Sequence, residues 1–321
     1  MYNKAETETH GKLFSLVMWF VLIPVRIYRS KILRKLLKNP ISVAGFALVI
    51  FFAVIAILAP VLAPPARPSR PYQIPRSGYS AIPKPPSPEH PFGTTEGQYD
   101  IYYGIIWGTR TAFYVGLVVV GAAAGIGIVI GSFSAYYGGL IDEIIMRITD
   151  IFMSFPFLVA AMVLTTILGK GLDKVIVALI VFGWMSYARV IRSEILSIRE
   201  LAYVESARAI GANDARIVLR HVLPNAIYPI LVQASMDIGS MVLTAAALSF
   251  LGVGAEPGYA DWGQMISFAR NWILGGQGNP LQYWYTVIYP GAAILFFCLG
   301  WNLLGDALRD VLDPRMRGRK A

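Results

Sequence analysis

The chain has 321 residues, of which 56% are hydrophobic and 15% charged, and its mean hydropathy is +0.56. A surface of that composition would leave large apolar patches in water, which excludes an ordinary soluble enzyme. The formal net charge of +9 is interpreted as a signature of membrane topology and of attraction to the anionic leaflet, and not of nucleic-acid binding.

Six apolar runs approach the roughly 20 residues needed to cross a hydrocarbon core of about 30 Å. Repeated crossings of that length favour a helical bundle over a barrel. We therefore predict an all-α, polytopic membrane protein with about six transmembrane helices. The predicted spans are residues 41–63, 111–136, 144–168, 175–195, 226–253 and 286–304.

The spans divide the chain into segments of different composition. The predicted segments are a cytoplasmic N-terminal segment (1–40), a first transmembrane helix (41–63), a Pro-rich external segment (64–110), a transmembrane core (111–305) with a charged cytoplasmic segment (196–224), and a cytoplasmic tail (306–321). Most Lys and Arg residues fall on the side of the N-terminal and charged segments, and basic residues in short loops favour the cytoplasm. Both termini are therefore predicted to be cytoplasmic, with the protein in the cell membrane.

The N-terminal segment contains a short apolar run at residues 13–25, "LFSLVMWFVLIPV", bounded by Lys12 and Arg26. Thirteen residues are few for a span, and no small-residue cleavage pattern follows before the basic stretch. We favour a helix that lies along the cytoplasmic surface of the membrane. The alternative is a seventh crossing.

Two segments are predicted to be external. Eleven of the twenty prolines fall between Pro60 and Pro91, which predicts an extended, polyproline-like backbone in water or on a protein surface. This segment is either a solvated connector or part of an external docking surface. The second segment, 254–285, is rich in Gly and aromatic residues, and we assign its rings to the aromatic belt at the membrane surface.

Glycines in the second span recur at a spacing that predicts close helix packing. Gly121 lies four residues before Gly125, and Gly127 lies four before Gly131, so that another helix can approach the backbone at either pair. The string lacks the spacing of a dinucleotide fingerprint. In the third span, Pro156 predicts a kink.

Recognisable catalytic and metal-binding patterns do not occur. The three histidines, His10, His90 and His221, are scattered, and the single cysteine, Cys298, lies in the last span. There is no H-E-x-x-H, Cys-x-x-Cys or P-loop sequence, so we assign no catalytic residue, metal or cofactor to this chain.

Few ionisable residues lie within the predicted spans. Asp237 stands near the middle of the fifth span, where a charge is costly unless it faces a partner or water. We interpret it as a carboxylate that lines a pathway or an interface; the alternative is a structural carboxylate without a transport role. Arg147 and Asp150, three residues apart, are predicted to form a structural pair.

The charged segment predicts two short amphipathic helices. Leu196, Tyr203, Ala207 and Ile210 recur at helical spacing and are assigned to one face. Gly211 then ends the first helix as a left-handed cap.

A second helix is predicted to begin after Gly211. Asn213 can cap it, and Ala215, Val218, Leu219 and Val222 continue the helical spacing. Such a pair is too polar to span a membrane and requires a partner surface.

Glu205-Ser206-Ala207, followed by Gly211 and by Leu223-Pro224, resembles the signature of permease subunits from binding-protein-dependent ABC importers. Ser206 departs from the alanine usual in that signature, and His221 from an isoleucine. Further similarity to the C-type subunit of the dipeptide/oligopeptide/nickel branch lies in "HPFGTTEGQYD", "GTRTAF", "SAYYGG", "RITDIFMSFPFL", "RHVLPN", "LSFLGVG", "DWG" and "NLLGDALRDVLDPR".

The resemblance implies a type I ABC importer permease fold and a function in ATP-driven import of dipeptides or oligopeptides. It also implies three kinds of protein partner: a homologous permease in a heterodimer, two cytoplasmic ATPases that bind ATP and Mg, and an external solute-binding protein. The residues it assigns to ATPase coupling are Tyr203, Glu205, Ser206, Ala207, Arg208, Gly211, Leu223 and Pro224. Import of oligosaccharides or nickel by the same architecture is an alternative, and a stand-alone secondary carrier is an alternative of another class.

Overall fold

The computed structural model of the protein describes residues 39–273 and 281–312. Within these ranges the regular structure is helical, apart from isolated β-bridges. The predicted surface helix at 13–25 and the end of the predicted tail lie outside the described residues. The helices are α1 (Pro40–Leu62), α2 (Ile101–Tyr137), α3 (Gly139–Met153), α4 (Phe157–Leu168), α5 (Leu172–Ile198), α6 (Ala202–Ala209), α7 (Leu223–Phe250), α8 (Trp262–Ile273) and α9 (Tyr285–Leu312).

Five helical stretches among the described residues are long and apolar enough to cross a membrane: α1, α2, α5, α9, and α7 together with the turns that precede it. They correspond to five of the six predicted spans. The helix α2 begins at Ile101, ten residues earlier than predicted, so residues 101–110 do not belong to the Pro-rich segment. Asp100 caps this helix, because its Oδ1 accepts a hydrogen bond of 2.8 Å from the backbone amide of Tyr103.

The third predicted span is not one straight helix. It consists of α3 and α4, which meet at an angle of 87° across a break that contains Pro156. Proline has no amide hydrogen to donate and its ring obstructs the preceding turn, so the predicted kink at this residue is present as a sharp bend. The pair counts as a sixth span only if both helices together cross the membrane.

The helices α2 and α5 share the most extensive helix–helix contact of the described residues, and two glycines of α2 allow their approach. A Cβ atom at Gly127 would lie 2.6 Å from the carbonyl oxygen of Trp184, and one at Gly131 would overlap the carbonyl oxygen of Ala188. At Gly121 and Gly125, by contrast, no described atom outside the adjoining helix backbone lies within 4 Å of the Cβ position. Of the two predicted glycine pairs, Gly127 and Gly131 therefore pack against another helix of the described residues, and Gly121 and Gly125 do not.

The Pro-rich segment is held against the loop that precedes α8. The amide of Ile74 donates to the carbonyl of Gly258 (2.8 Å), and the amide of Ala260 donates to the carbonyl of Tyr72 (2.7 Å). The ring of Tyr72 also stacks on that of Tyr259, with centroids 5.6 Å apart. The two predicted external segments thus form one continuous platform rather than separate connectors.

Aromatic residues around α8 pack mainly into protein. Trp262 is 3% exposed and its Nε1 donates to the carbonyl of Ile105, while Tyr285 is 1% exposed. Trp272 donates to Glu96 at 2.9 Å. The expectation that the rings of this segment form a membrane-surface belt is therefore wrong for Trp262 and Tyr285, and for the partly buried Trp272 it stays a prediction.

Asp261 begins α8 from a buried position. Its Oδ1 accepts a hydrogen bond of 2.7 Å from the amide of Gln264, which is the usual role of a capping carboxylate. Burial raises the pKa of the Asp261 carboxyl above its ordinary value, while hydrogen bonds from the Gln264 and Gly263 amides act in the opposite direction. The residue fixes the start of the helix that carries Trp262.

Candidate functional site

The charged segment connects α5 to α7 and is anchored to the end of α2. Arg199 donates from Nη1 to the carbonyl oxygen of Ala135 at 3.0 Å. The hydroxyl of Tyr136 donates to the carboxylate of Asp214. These contacts fix both halves of the segment to the last turn of α2, which is one of the membrane-spanning helices.

The short helix α6 presents most of its residues to solvent. Val204 and Ala207 are buried against the bundle, whereas Tyr203 is 42% exposed and Ile210 is 86% exposed. The predicted face is therefore wrong in two respects: Leu196 belongs to α5, and the buried face is that of Val204 and Ala207. The exposed side also carries Glu205, Ser206 and Arg208.

Gly211 turns the chain out of α6 in the predicted left-handed conformation, with φ of +82°. The amide of Gly211 donates to the carbonyl of Arg208 (3.0 Å), and the amide of Ala212 donates to that of Ala207 (3.1 Å). This hydrogen-bond pattern is a Schellman motif, which favours glycine because a side chain is strained at positive φ. Apart from its two chain neighbours, no described residue has an atom within 4 Å of the place that a Cβ of residue 211 would take.

After Gly211 the chain leads into α7, and this part begins at Asn213, the predicted N-cap. Oδ1 of Asn213 accepts a hydrogen bond of 2.8 Å from the amide of Arg216. The next turn, Ile217–Val222, is a π-helix, so residues five apart face the same way. Ile217 and Val222 are fully buried and Leu219 is 65% exposed, which corrects the predicted α-helical spacing.

Tyr203 connects α6 to the start of α7. Its hydroxyl donates to the carbonyl of His221 at 3.4 Å, and the side-chain amide of Asn225 donates to the same carbonyl at 2.8 Å and to the Tyr203 hydroxyl at 3.3 Å. Leu223 and Pro224 form the first turn of α7, where the missing amide hydrogen of proline is tolerated.

The resulting surface combines apolar and charged side chains that have no described partner of their own. Ile210 and Leu219 are exposed, and the side chains of Glu205 and Arg208 form no hydrogen bond or ion pair with residues 39–273 or 281–312. A small, anchored, amphipathic protrusion of this kind is suited to insertion into a groove on another protein. We refer to residues 199–225 as the coupling segment.

Asp237 lies beside a cavity of about 310 Å³ between α5, α7 and the bend that joins α3 to α4. Its Oδ2 accepts hydrogen bonds from the hydroxyl of Tyr187 (2.7 Å) and from Nε2 of Gln233 (3.3 Å). Gln233 also donates to the hydroxyl oxygen of Ser186 at 3.2 Å. We call this cavity the Asp237 pocket; the residues that line it are Phe152, Met153, Phe155, Phe157, Ala160, Phe182, Gly183, Met185, Ser186, Gln233, Asp237 and Met241.

The ion pairs of α3 differ from the predicted one. Asp150 pairs with Arg189 at 2.6 Å, and Arg147 lies 4.0 Å from Glu143, so the predicted Arg147–Asp150 pair is wrong. A second pair joins α3 to α5, where Arg192 binds the carboxylate of Asp142. The arginines of α5 therefore hold the first half of the bent span against the core.

Sequence reasoning missed the residues that hold the Asp237 carboxylate. Gln233 carries a usable signal, because a polar residue four positions before Asp237 shares its helical face. Tyr187 is fifty residues away on another helix, and no spacing in the sequence points to it.

A bundle of membrane-spanning helices with an anchored, solvent-exposed segment defines a multi-pass membrane protein with an amphipathic protrusion. A family model described as "binding-protein-dependent transport system inner membrane component" matches residues 127–318, and one described as "N-terminal TM domain of oligopeptide transport permease C" matches residues 28–86. The chain belongs to the family of inner-membrane permease subunits of binding-protein-dependent ABC importers. It is a multi-pass membrane protein and a transporter subunit without an ATPase site of its own, and its family works with partner permease and ATPase subunits.

Curated relatives are similar over most of their length. The dipeptide transport system permease protein DppC of Alkalihalophilus pseudofirmus is 37% identical over 284 residues, covering 88% of this chain and 89% of the relative. The probable D,D-dipeptide transport system permease protein DdpC of Escherichia coli K12 is 37% identical, covering 92% and 95%. The glutathione transport system permease protein GsiD of Pectobacterium atrosepticum is 36% identical, covering 88% and 90%.

Among solved structures, a chain of the MetNI methionine ABC transporter in an inward-facing conformation is similar to this chain. The TM-score is 0.48 and the sequence identity is 20%. The match covers 64% of this chain and 97% of the other.

Proposed function

We propose that this chain is the C-type permease of an importer for short peptides and that the coupling segment transmits ATP-driven motion to it. The observation that carries the proposal is the anchored protrusion formed by α6 and Gly211. Permeases of this family work with separate ATPases, and such a protrusion offers them a contact surface. Support for a peptide substrate comes from relatives that are named for dipeptides and glutathione and share 36–37% identity with this chain.

The proposed assembly contains a homologous permease, two ATPases that bind ATP and Mg, and an external solute-binding protein. The coupling segment and both chain termini face the cytoplasm, in agreement with the distribution of basic residues. Glu205 and Arg208 make polar contacts with an ATPase groove, Ala207 and Ser206 allow close approach, and Tyr203 with Leu223-Pro224 ties the protrusion to α7. A rigid-body shift of α6 then moves α2 and α7 together.

A transport assay tests the proposed function. The complete transporter, reconstituted in liposomes with its binding protein, is expected to take up a radiolabelled dipeptide only with ATP. Excess unlabelled dipeptide should suppress the uptake, and an oligosaccharide or Ni²⁺ should not. Uptake at an equal rate by this chain without ATPases would exclude the coupling role, and suppression by Ni²⁺ or the oligosaccharide would exclude the peptide substrate.

The external platform offers a cationic surface to the binding protein. A cavity of about 540 Å³ is lined by Arg67, Arg70 and Arg76. The guanidinium of Arg76 lies 4.2 Å from the ring centroid of Tyr99, and none of the three arginines forms an ion pair with a carboxylate in residues 39–273 or 281–312. We assign this surface to docking of an acidic patch on the solute-binding protein, because charge complementarity steers such encounters.

We expect the double variant Arg67→Glu/Arg70→Glu to weaken this docking. The binding protein stimulates the ATPases when it docks, and half-maximal stimulation requires a certain concentration of it. Reversal of these two charges should raise that concentration by about tenfold or more, mainly because association becomes slower. The measurement is a titration of ATPase activity in liposomes at low salt. Lys170→Glu, which reverses an exposed charge outside the cavity, is the matched control and should leave the titration unchanged; an equal effect in both variants would contradict the assignment.

A further inference from the structure

The carboxylate of Asp237 has one oxygen that the protein leaves free. Tyr187 and Gln233 both donate to Oδ2. Oδ1 accepts no hydrogen bond from residues 39–273 or 281–312, and these residues do not bury it completely. A carboxylate has about four acceptor positions. The two hydrogen bonds hold the group in one orientation and leave Oδ1 available to a ligand.

Within residues 39–273 and 281–312, no positively charged side chain forms an ion pair with Asp237. Arginines on the neighbouring helix α5 pair with Asp142 and Asp150 instead. A carboxylate inside a membrane span normally has a partner or lines a pathway. Because the described residues supply no such partner, the position of this carboxyl group favours a bound cation.

The rest of the pocket also favours a cation. Phe152, Phe155, Phe157 and Phe182 contribute to its lining, and the faces of aromatic rings attract cations. The volume of about 310 Å³ lies at the lower end of the range for small-molecule sites. Phe155, at the bend between α3 and α4, is 58% exposed, so the pocket is open on that side.

We propose that the Asp237 pocket binds the ammonium group of the transported solute, which is the free α-amino group of a short peptide. Oδ1 of Asp237 accepts from the ammonium, and the phenylalanine rings cover its apolar surroundings. Tyr187 and Gln233 are positioning residues that orient the carboxylate. This inference rests on the proposed peptide-import function. It means that the permease itself, and not only the binding protein, contacts the amino end of the peptide.

Cysteine reactivity in the complete transporter tests the charge preference of the pocket. With Cys298→Ser as background, Met241→Cys places a thiol in the lining, and Phe155→Cys serves if that variant does not assemble. A cationic methanethiosulfonate should react about ten times faster than an anionic one, because the carboxylate concentrates cations locally. Asp237→Asn should bring the two rates within about twofold, and Asp237→Glu should retain the preference.

Protection by peptides identifies the ligand. Glycylglycine should slow labelling at a concentration at least about tenfold lower than N-acetylglycylglycine, which lacks the ammonium group, and Asp237→Asn should remove that difference. Asp173→Asn, which removes a carboxylate that is 71% exposed and outside the pocket, should leave it unchanged.

Three outcomes would overturn the proposal: equal protection by the two peptides, a cation preference that survives Asp237→Asn, or a preference without protection by either peptide. Labelling needs neither ATP hydrolysis nor the binding protein, so loss of ATP-dependent uptake with intact protection would count against the importer function and not against the site.

Discussion

Replacement of Gly211 by arginine is expected to abolish uptake while membrane insertion stays normal. Gly211 has φ of +82°, and no described atom lies within 4 Å of its Cβ position, so the new side chain fits the fold at a strain of about 1–2 kcal/mol. Its long, charged side chain instead projects from the docking surface beside α6. A loss of about 1.4 kcal/mol in docking lowers ATPase affinity tenfold, and a bulky charge in a groove costs more.

Three measurements separate docking from folding in this variant: the amount of protein in the membrane, the amount of co-purified ATPase, and the rate of peptide uptake. Gly169→Arg is the matched control, because Gly169 also has positive φ (+96°) and open space around its Cβ position but lies between α4 and α5. That variant should keep its ATPase and most of its uptake. Normal uptake by Gly211→Arg, or equal loss in both variants, would exclude the coupling role of Gly211.

Replacement of Gly131 by alanine is expected to destabilise the bundle. The added Cβ would overlap the backbone carbonyl of Ala188 and lie 2.5 Å from Cγ2 of Ile191. A backbone atom cannot rotate away, so α2 and α5 must separate, and overpacking of this kind typically costs about 1–3 kcal/mol. The thermal unfolding midpoint of the purified chain in detergent should therefore fall by several degrees.

Gly125→Ala provides the matched control on the same helix. No described atom lies within 4 Å of its Cβ position, and alanine is favoured over glycine in a helix by up to about 1 kcal/mol. Its midpoint should stay unchanged or rise. An equal fall in both variants would show that the glycines of α2 act through backbone flexibility and not through contact with α5.

Local signals along the chain were sufficient for the helical elements. The apolar runs identify five long helices and the position of the bent pair, because each must be about 20 residues long to cross the hydrocarbon core. Gly211 and Asn213 mark the turn between the two halves of the coupling segment, because a left-handed cap and an N-cap depend on residues next to them in sequence. The helix ends were less predictable: α2 begins earlier than its apolar run, at a cap formed by Asp100.

Contacts between distant residues decided the rest. The charged segment could be recognised from its residues, but its buried face could not, since the π-helical turn at Ile217–Val222 changes the spacing. The partner of Asp150 is Arg189 on α5 and not its sequence neighbour Arg147. The packing of α5 against α3 decides this pairing, and the spacing along α3 does not.

The amino-acid sequence on its own therefore established a membrane-spanning helical protein with a charged amphipathic segment and an intramembrane carboxylate, since hydropathy, charge and caps are properties of neighbouring residues. Its motifs supplied the resemblance to ABC importer permeases. The folded structure alone joined Tyr187 to Asp237, the Pro-rich segment to the loop before α8, and Gly131 to α5. These pairs are far apart in the chain, and their contacts exist only after the helices have packed.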